Sequence, residues 1–164
     1  MPQDSTVDSP PRYRDPVARV LITGMSGTGK STVLAELARR GYRTVDTDDD
    51  AWTDGNGGPW DEARMAQLLA AQITLVVAGT AENQGRFSDR FEHVVLLSAP
   101  VDVLISRVRS RTNNPYGHSP EQQDEIQRYV VEVEPLLRRG ATVEMDARMP
   151  VDRLADAISR LADG

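Results

Sequence analysis

The segment from Arg19 to Ala38 limits what this chain can fold into more than any other. Val20-Leu21-Ile22 is a short apolar run that reads as a buried strand. Gly24, Gly29, Lys30 and Ser31 then fit G-x-x-x-x-G-K-[ST], and Val33, Leu34, Leu37 and Ala38 recur at helical spacing. A strand, a glycine loop and a helix in that order turn the backbone N–H groups inward at a helix N-terminus, where the dipole favours negative charge. Gly24, Ser26, Gly27, Thr28, Gly29, Lys30, Ser31 and Thr32 would form the nest. Lys30 would reach the β- and γ-phosphates, and the Ser31 hydroxyl would ligate Mg²⁺. The ligand implied is a nucleoside triphosphate, with ATP expected.

Beyond that segment, short apolar runs alternate with amphipathic ones. Strands are expected at Arg43–Val45, Ile73–Ala78 (buried on both faces, central in the sheet), His93–Leu97 and Ala141–Met145. Pro59 with Asp61 and Glu62 opens a helix whose inner face is Ala63, Ala66, Leu69 and Ala70. Pro100 opens another, with Val101, Leu104, Ile105 and Val108 in line. Ser119-Pro120-Glu121-Gln122 has the form of a capping box ahead of a long helix, which Pro135 should divide near Glu134. A last helix carries Val151, Leu154, Ala155, Ile158 and Leu161 on one stripe. Such alternation implies an α/β chain: three layers, α/β/α, around a five-stranded parallel sheet, with ligands beyond the carboxyl ends of the strands.

The third expected strand ends Val77-Ala78-Gly79-Thr80, without an acid to direct the metal. Asp46 and Asp48, at the end of the second strand, are the substitutes. On extended chain their side chains would project to the same side. One could hold Mg²⁺ through water while the other accepts a proton from an attacking hydroxyl. Asp49 and Asp50 read as solvated. Arg107 and Arg111 stand one helical turn apart ahead of Asn113-Asn114-Pro115-Tyr116-Gly117. They suit either a lid closing over ATP or the dipole at a helix C-terminus. Arg64, Arg86, Arg90 and Arg128 are candidates for an anionic acceptor, and Trp52 or Trp60 for stacking a base or for packing.

The 164 residues suit one domain, with 1–16 as a disordered, proline-bearing tail and 17–164 as the folded part, its lid around 107–120. A formal charge of −6 disfavours non-specific nucleic-acid or anionic-membrane partners. Cysteine is absent, so thiolate metal sites are excluded, and a cytoplasmic monomer or homodimer is the expectation.

On these residues the chain resembles the small P-loop kinases of the shikimate kinase and nucleoside monophosphate kinase group, and within it a branch of kinase-like ATPases of unassigned acceptor. The likeness spans about 17–162. Gly24 to Ser31 matches their Walker A loop, and Val45-Asp46-Thr47-Asp48 resembles the D-x-D of shikimate kinases. The resemblance implies that Asp46 assists the metal and Asp48 touches the acceptor hydroxyl. It further implies that Arg107 and Arg111 are lid arginines and that Arg128 binds substrate, with Arg64 the counterpart of an acceptor-clamping arginine. Where shikimate kinases carry three glycines after the third strand, this chain has Gly79-Thr80-Ala81-Glu82. The implied activity is ATP- and Mg²⁺-dependent transfer of a γ-phosphoryl group to a small hydroxyl- or phosphate-bearing metabolite. A nucleoside or nucleoside monophosphate acceptor is one alternative, and a non-catalytic ATP-binding regulator another.

Overall fold

The computed structural model describes residues 17–48, 52–53 and 58–164. The expected tail (1–16) and the pair Asp49 and Asp50 lie outside the described residues. Five strands form one parallel sheet: β1 (Arg19–Gly24), β2 (Thr44–Asp46), β3 (Leu75–Ala78), β4 (His93–Ser98) and β5 (Val143–Asp146). Their spatial order is β2-β3-β1-β4-β5. The glycine-loop strand β1 is therefore central. The Ile73–Ala78 run, expected at the centre, supplies a shorter strand one place out, between β2 and β1. β2 begins one residue later than expected and reaches Asp46 itself.

Six helices connect and cover the strands: α1 (Lys30–Arg39), α2 (Glu62–Ala70), α3 (Val101–Ser110), α4 (Pro120–Glu132), α5 (Glu134–Gly140) and α6 (Val151–Asp163). Two 3-10 turns, Gln84–Arg86 and Ser88–Arg90, lie between β3 and β4. Successive strand residues point to opposite faces, so each interior strand feeds two cores. Val20 and Ile22 of β1 pack with Val76, Ala78, Val95 and Leu97 under α1 and α6. Leu21, between them, faces the other way, into a cluster with Val77, Leu75, Met65, Leu69, Trp60 and Phe87. Burying each such side chain is worth about 1.5–3 kcal/mol, and on the central strands both faces contribute.

The helix boundaries follow local chemistry. Asp61 caps α2, accepting the Arg64 N–H at 3.0 Å. The inner face of α2 keeps Leu69 of the expected stripe but adds Met65 to it. Met65 and Leu69 are buried, whereas Ala63 and Ala70 are exposed, because the larger side chains rotate the helix toward the apolar cluster. Ser119 caps α4 with Pro120 in the first turn. The capping box is only half made: Gln122 N–H donates to Ser119 Oγ, but the Gln122 side-chain Oε1 accepts from Gly117 N–H at 2.8 Å. That second bond ties the helix start to the loop before it. Pro135 divides α4 from α5 at Val133, since it has no N–H to continue the ladder.

One close approach shapes the site. Thr47, just past β2, is buried; its N–H and its hydroxyl both donate to Ala78 O, at 2.9 and 3.0 Å. A Cβ on Gly79 would collide with the Thr47 hydroxyl. Glycine at 79 is what lets the loop carrying Asp46 and Asp48 lie against the end of β3.

Candidate functional site

The loop from Gly24 to Gly29 leaves β1 through backbone that side chains resist. Gly24 has φ +153° and Gly27 has φ +87°, and a Cβ on either would press on a carbonyl, Leu97 O at 2.5 Å or Leu104 O at 2.8 Å. The loop is thus seated between β4 and α3. Gly29 stands at the N-cap of α1, and no side chain caps the helix there. Its first-turn N–H groups face the loop's concavity with the positive end of the dipole, the arrangement that attracts phosphate.

Lys30 folds over this loop. Its ammonium donates to Gly24 O at 2.6 Å and Met25 O at 3.2 Å. Burial pushes its pKa down from the usual lysine value to about 8; Asp48 and then Asp46 oppose that fall, and Arg111 adds to it. The two acids and Arg111 are therefore electrostatic neighbours of the lysine. Ser31 Oγ donates to Asp46 Oδ2 at 2.8 Å, so a hydroxyl and a carboxylate stand side by side at the start of α1. Asp46 Oδ1 accepts Asp48 N–H at 3.0 Å.

That last bond corrects one expectation. Asp46 ends β2, and Thr47 and Asp48 form a turn rather than extended chain. The two acids are brought toward Lys30 by this local turn and not by strand alternation.

The two arginines of α3 take separate tasks. Arg107 donates to Gly27 O at 3.3 Å and to Ala147 O at 2.8 Å, bracing the glycine loop against the segment after β5. Arg111 donates to Tyr116 O at 2.8 Å, and His118 Nε2 lies 2.9 Å from Arg111 O, so the loop after α3 is folded back on its helix end. The Nε of Arg111 is buried without a partner among the described residues. Desolvation lowers the pKa of Arg111, which a bound anion would offset. Tyr116 closes the far side through its hydroxyl, which donates to Glu125 Oε1 at 2.6 Å. Burial first and then that bond raise its pKa.

The other candidate arginines have partners of their own. The Arg64 guanidinium lies 4.1 Å from the ring centre of Trp52, Arg86 pairs with Glu62 at 3.1 Å, and Arg90 reaches Ala66 O at 3.5 Å. Arg128 is exposed on α4, its guanidinium 5.7 Å from the Tyr129 ring centre. Both tryptophans are buried packing residues, with Trp60 tilted against Phe87 at 6.1 Å between ring centres.

Sequence reasoning passed over Thr80, Gln84 and Thr23. Thr80, where an acid was sought, donates through its hydroxyl to Gly24 O at 2.8 Å and lies 3.0 Å from Thr23 Oγ1. Gln84, buried, donates to Thr23 Oγ1 at 3.2 Å. A hydroxyl at the end of a strand flanking the glycine loop was the available signal.

Residues 20–128 match a family model described as AAA domain. The chain is 31% identical over 173 residues to a shikimate kinase of Halorhodospira halophila (strain DSM 244 / SL1), covering 89% of this chain and 96% of that protein. The chain belongs to the small P-loop kinases of the shikimate kinase and nucleoside monophosphate kinase group. Among solved structures, shikimate kinase from Acinetobacter baumannii in complex with shikimate superposes with a TM-score of 0.67 at 20% identity, over 90% of this chain and 93% of that one. A gluconokinase from Sinorhizobium meliloti 1021 gives 0.54 at 21% identity, over 92% and 95%. These two likenesses are of fold. This P-loop kinase is a phosphotransferase that uses ATP.

The lowered pKa of Lys30 sets a pH dependence. A triphosphate bound against Lys30 would need the charged ammonium, so nucleotide affinity should hold below pH 8 and fall as pH rises through it, approaching about tenfold per unit above that value. Binding near pH 8 should take up protons. Calorimetry in buffers of different ionisation enthalpy measures both, and affinity unchanged from pH 7 to 9 would remove Lys30 from the site.

Proposed function

We propose that this kinase transfers the γ-phosphoryl of ATP, with Mg²⁺, to a small hydroxyl- or phosphate-bearing metabolite, in the manner of shikimate kinases. The observation that carries the reading is the Ser31–Asp46 pair beside Lys30, with Asp48 held against Asp46 by the turn. Hard oxygen donors in that number fit Mg²⁺, which keeps several waters and relies on one or two protein oxygens plus the phosphates. Among the described residues no cluster of three or more acids, histidines or cysteines could hold a metal alone, in keeping with such a shared site. Ser31 and Asp46 would hold the ion, which when bound neutralises phosphate charge.

The chain's own residues do the rest. Gly24, Ser26, Gly27, Thr28, Gly29 and Thr32 cradle the phosphates through the loop and the start of α1. Lys30 carries positive charge onto the β- and γ-oxygens. Arg111 would add a second cation as the lid around 107–120 closes, its buried Nε without a partner among the described residues. Asp48 accepts the acceptor's proton. Arg107 keeps the glycine loop and the post-β5 segment at a fixed separation, a positioning task. Arg64, Arg86 and Arg128 remain the proposed acceptor-side arginines.

Shikimate itself is the first compound to try, because the curated relative bears that name. Gly79-Thr80-Ala81-Glu82 differs from the glycine-rich loop implied by the resemblance, so other polyol acids such as gluconate belong in the same panel. A nucleoside acceptor loses its stacking surface with both tryptophans in the core. The setting proposed is the cytoplasm, where ATP is made, and no helix among the described residues is long and apolar enough to cross a membrane.

The test is ATP consumption against a panel of hydroxy acids, sugars and nucleosides, with an acceptor-free control. One acceptor should raise turnover at least tenfold over the control. Equal consumption in every well would overturn transfer and leave an ATPase or a regulator.

A further inference from the structure

The β1–β3 ladder runs to Gly79, whose N–H donates to Ile22 O at 3.0 Å. One residue further on, a side chain takes over. The Thr80 hydroxyl donates to Gly24 O at 2.8 Å, accepts from Gly24 N–H at 3.3 Å, and meets Thr23 Oγ1 at 3.0 Å. A hydroxyl has one proton to give and two lone pairs to receive, so Thr80 is fully used. Thr23 Oγ1 accepts in turn from Gln84 Nε2 at 3.2 Å, and Gln84 Oε1 accepts from Ala81 N–H at 2.9 Å. Gln84 is 8% exposed, and Thr23 is fully buried. The chain of bonds is thus anchored at its far end in the core.

Its near end is the lysine. Gly24 O receives Lys30 Nζ at 2.6 Å and Thr80 Oγ1 at 2.8 Å, filling both lone pairs of one carbonyl. Gly24 has no side chain by which its peptide could be held, and its φ of +153° is one that few residues share. Leu97 O, 2.5 Å from where a Cβ would stand, closes one side of it. Thr80 grips the other through both N–H and C=O.

We propose that Thr80 is a positioning residue for Lys30: its hydroxyl fixes the Gly24 peptide, whose carbonyl aims the lysine ammonium at the triphosphate. At the end of β3, where an acidic side chain would direct a metal, this chain carries a group that directs the lysine instead. Thr23 and Gln84 hold Thr80 in the required rotamer. The proposal rests on the P-loop reading of residues 24–31 and is independent of which acceptor is used.

A residue that merely joined β1 to β3 would, on removal, lower stability and weaken all nucleotides alike. A misaimed Lys30 loses most on the γ-phosphate. Binding of ADP and of the non-hydrolysable β,γ-imido analogue of ATP should therefore be compared in the whole chain. Thr80→Val, of the same shape without the hydroxyl, should weaken the imido analogue about tenfold while ADP affinity stays within about threefold. Thr80→Ser, which restores the hydroxyl, should return the ratio to within about threefold of the parent. If Thr80→Val does not fold, Thr23→Val removes the bond to the Thr80 hydroxyl and the one from Gln84 Nε2, leaves both Thr80 bonds to Gly24 in place, and should move the ratio the same way, by about threefold. Equal weakening of both nucleotides, an unchanged ratio, or Ser behaving as Val would overturn the proposal. A parent chain that binds neither nucleotide would overturn it together with the kinase reading. One that binds both but transfers to no acceptor would sink the transfer alone.

Discussion

Lys30→Ala should lower turnover by on the order of 10²–10³-fold, the loss seen when one preorganised charge-stabilising donor is removed from a reaction centre. The reasoning starts from position. The ammonium is held on Gly24 O and Met25 O, inside the curve of the loop. It is half-buried there, and that burial lowers its pKa. Phosphate oxygens arriving there meet a cation that need not be desolvated or reoriented during the reaction. Alanine removes the charge and leaves Gly24 O with Thr80 as its side-chain partner. The fold should survive, because the bonds Lys30 makes are within its own loop and the buried residues of α1 are Val33, Leu34 and Leu37. The measurement is steady-state kcat beside a thermal melt. A variant that melts like the parent and turns over like it would remove Lys30 from the mechanism.

The second large effect belongs to the two acids, whose Asn variants should differ in kind. Asp46 shares a 2.8 Å hydrogen bond with the Ser31 hydroxyl, and that pair is the proposed metal seat. Asp46→Asn should raise the Mg²⁺ concentration needed for half-maximal rate, since a neutral amide is a poorer partner for a hard dication. Asp48 sits one turn further, its N–H given to Asp46. Asp48→Asn should leave metal and ATP affinity near the parent's and lower kcat by on the order of 10²–10⁴-fold, as for a lost general base. Titrating rate against Mg²⁺ at saturating ATP separates the two. If the phenotypes exchange, the roles exchange with them. If both variants keep full rate and full metal response, the acid must be sought elsewhere, with the exposed Glu82 after β3 the next candidate.

What could be read from the chain alone was whatever local pattern decides. The strand–loop–helix around Gly24–Ser31 is contiguous, and hydrophobic period plus a few prolines located five strands and six helices to within a residue or two. The family was legible for the same reason: its glycine-loop motif is packed into eight consecutive residues, Gly24 to Ser31. Side-chain roles were legible only where the backbone dictates them. Period alone put Ala63, Ala66, Leu69 and Ala70 on the inner face of α2; Leu69 is buried there, but burial follows volume, and Met65 shares the face with it while Ala63 and Ala70 are exposed.

Other decisions waited on residues far apart in sequence. The pattern near position 80 offers a hydroxyl at a strand end but not its partner Gly24, because that contact exists only once β3 is paired to β1, 56 residues away. Arg107 reads as a lid arginine from its place ahead of the loop, and only the fold brings Gly27 O and Ala147 O to its two nitrogens. Asp46 and Asp48 read as a pleated pair until Thr47 bonds to Ala78 and turns the chain. In each case a hydrogen bond between non-neighbours decides where a polar group points. Local periodicity carries no information about such bonds, so the sequence determined the P-loop kinase family of this protein, and only the tertiary structure decided which distant side chains lie against the glycine loop.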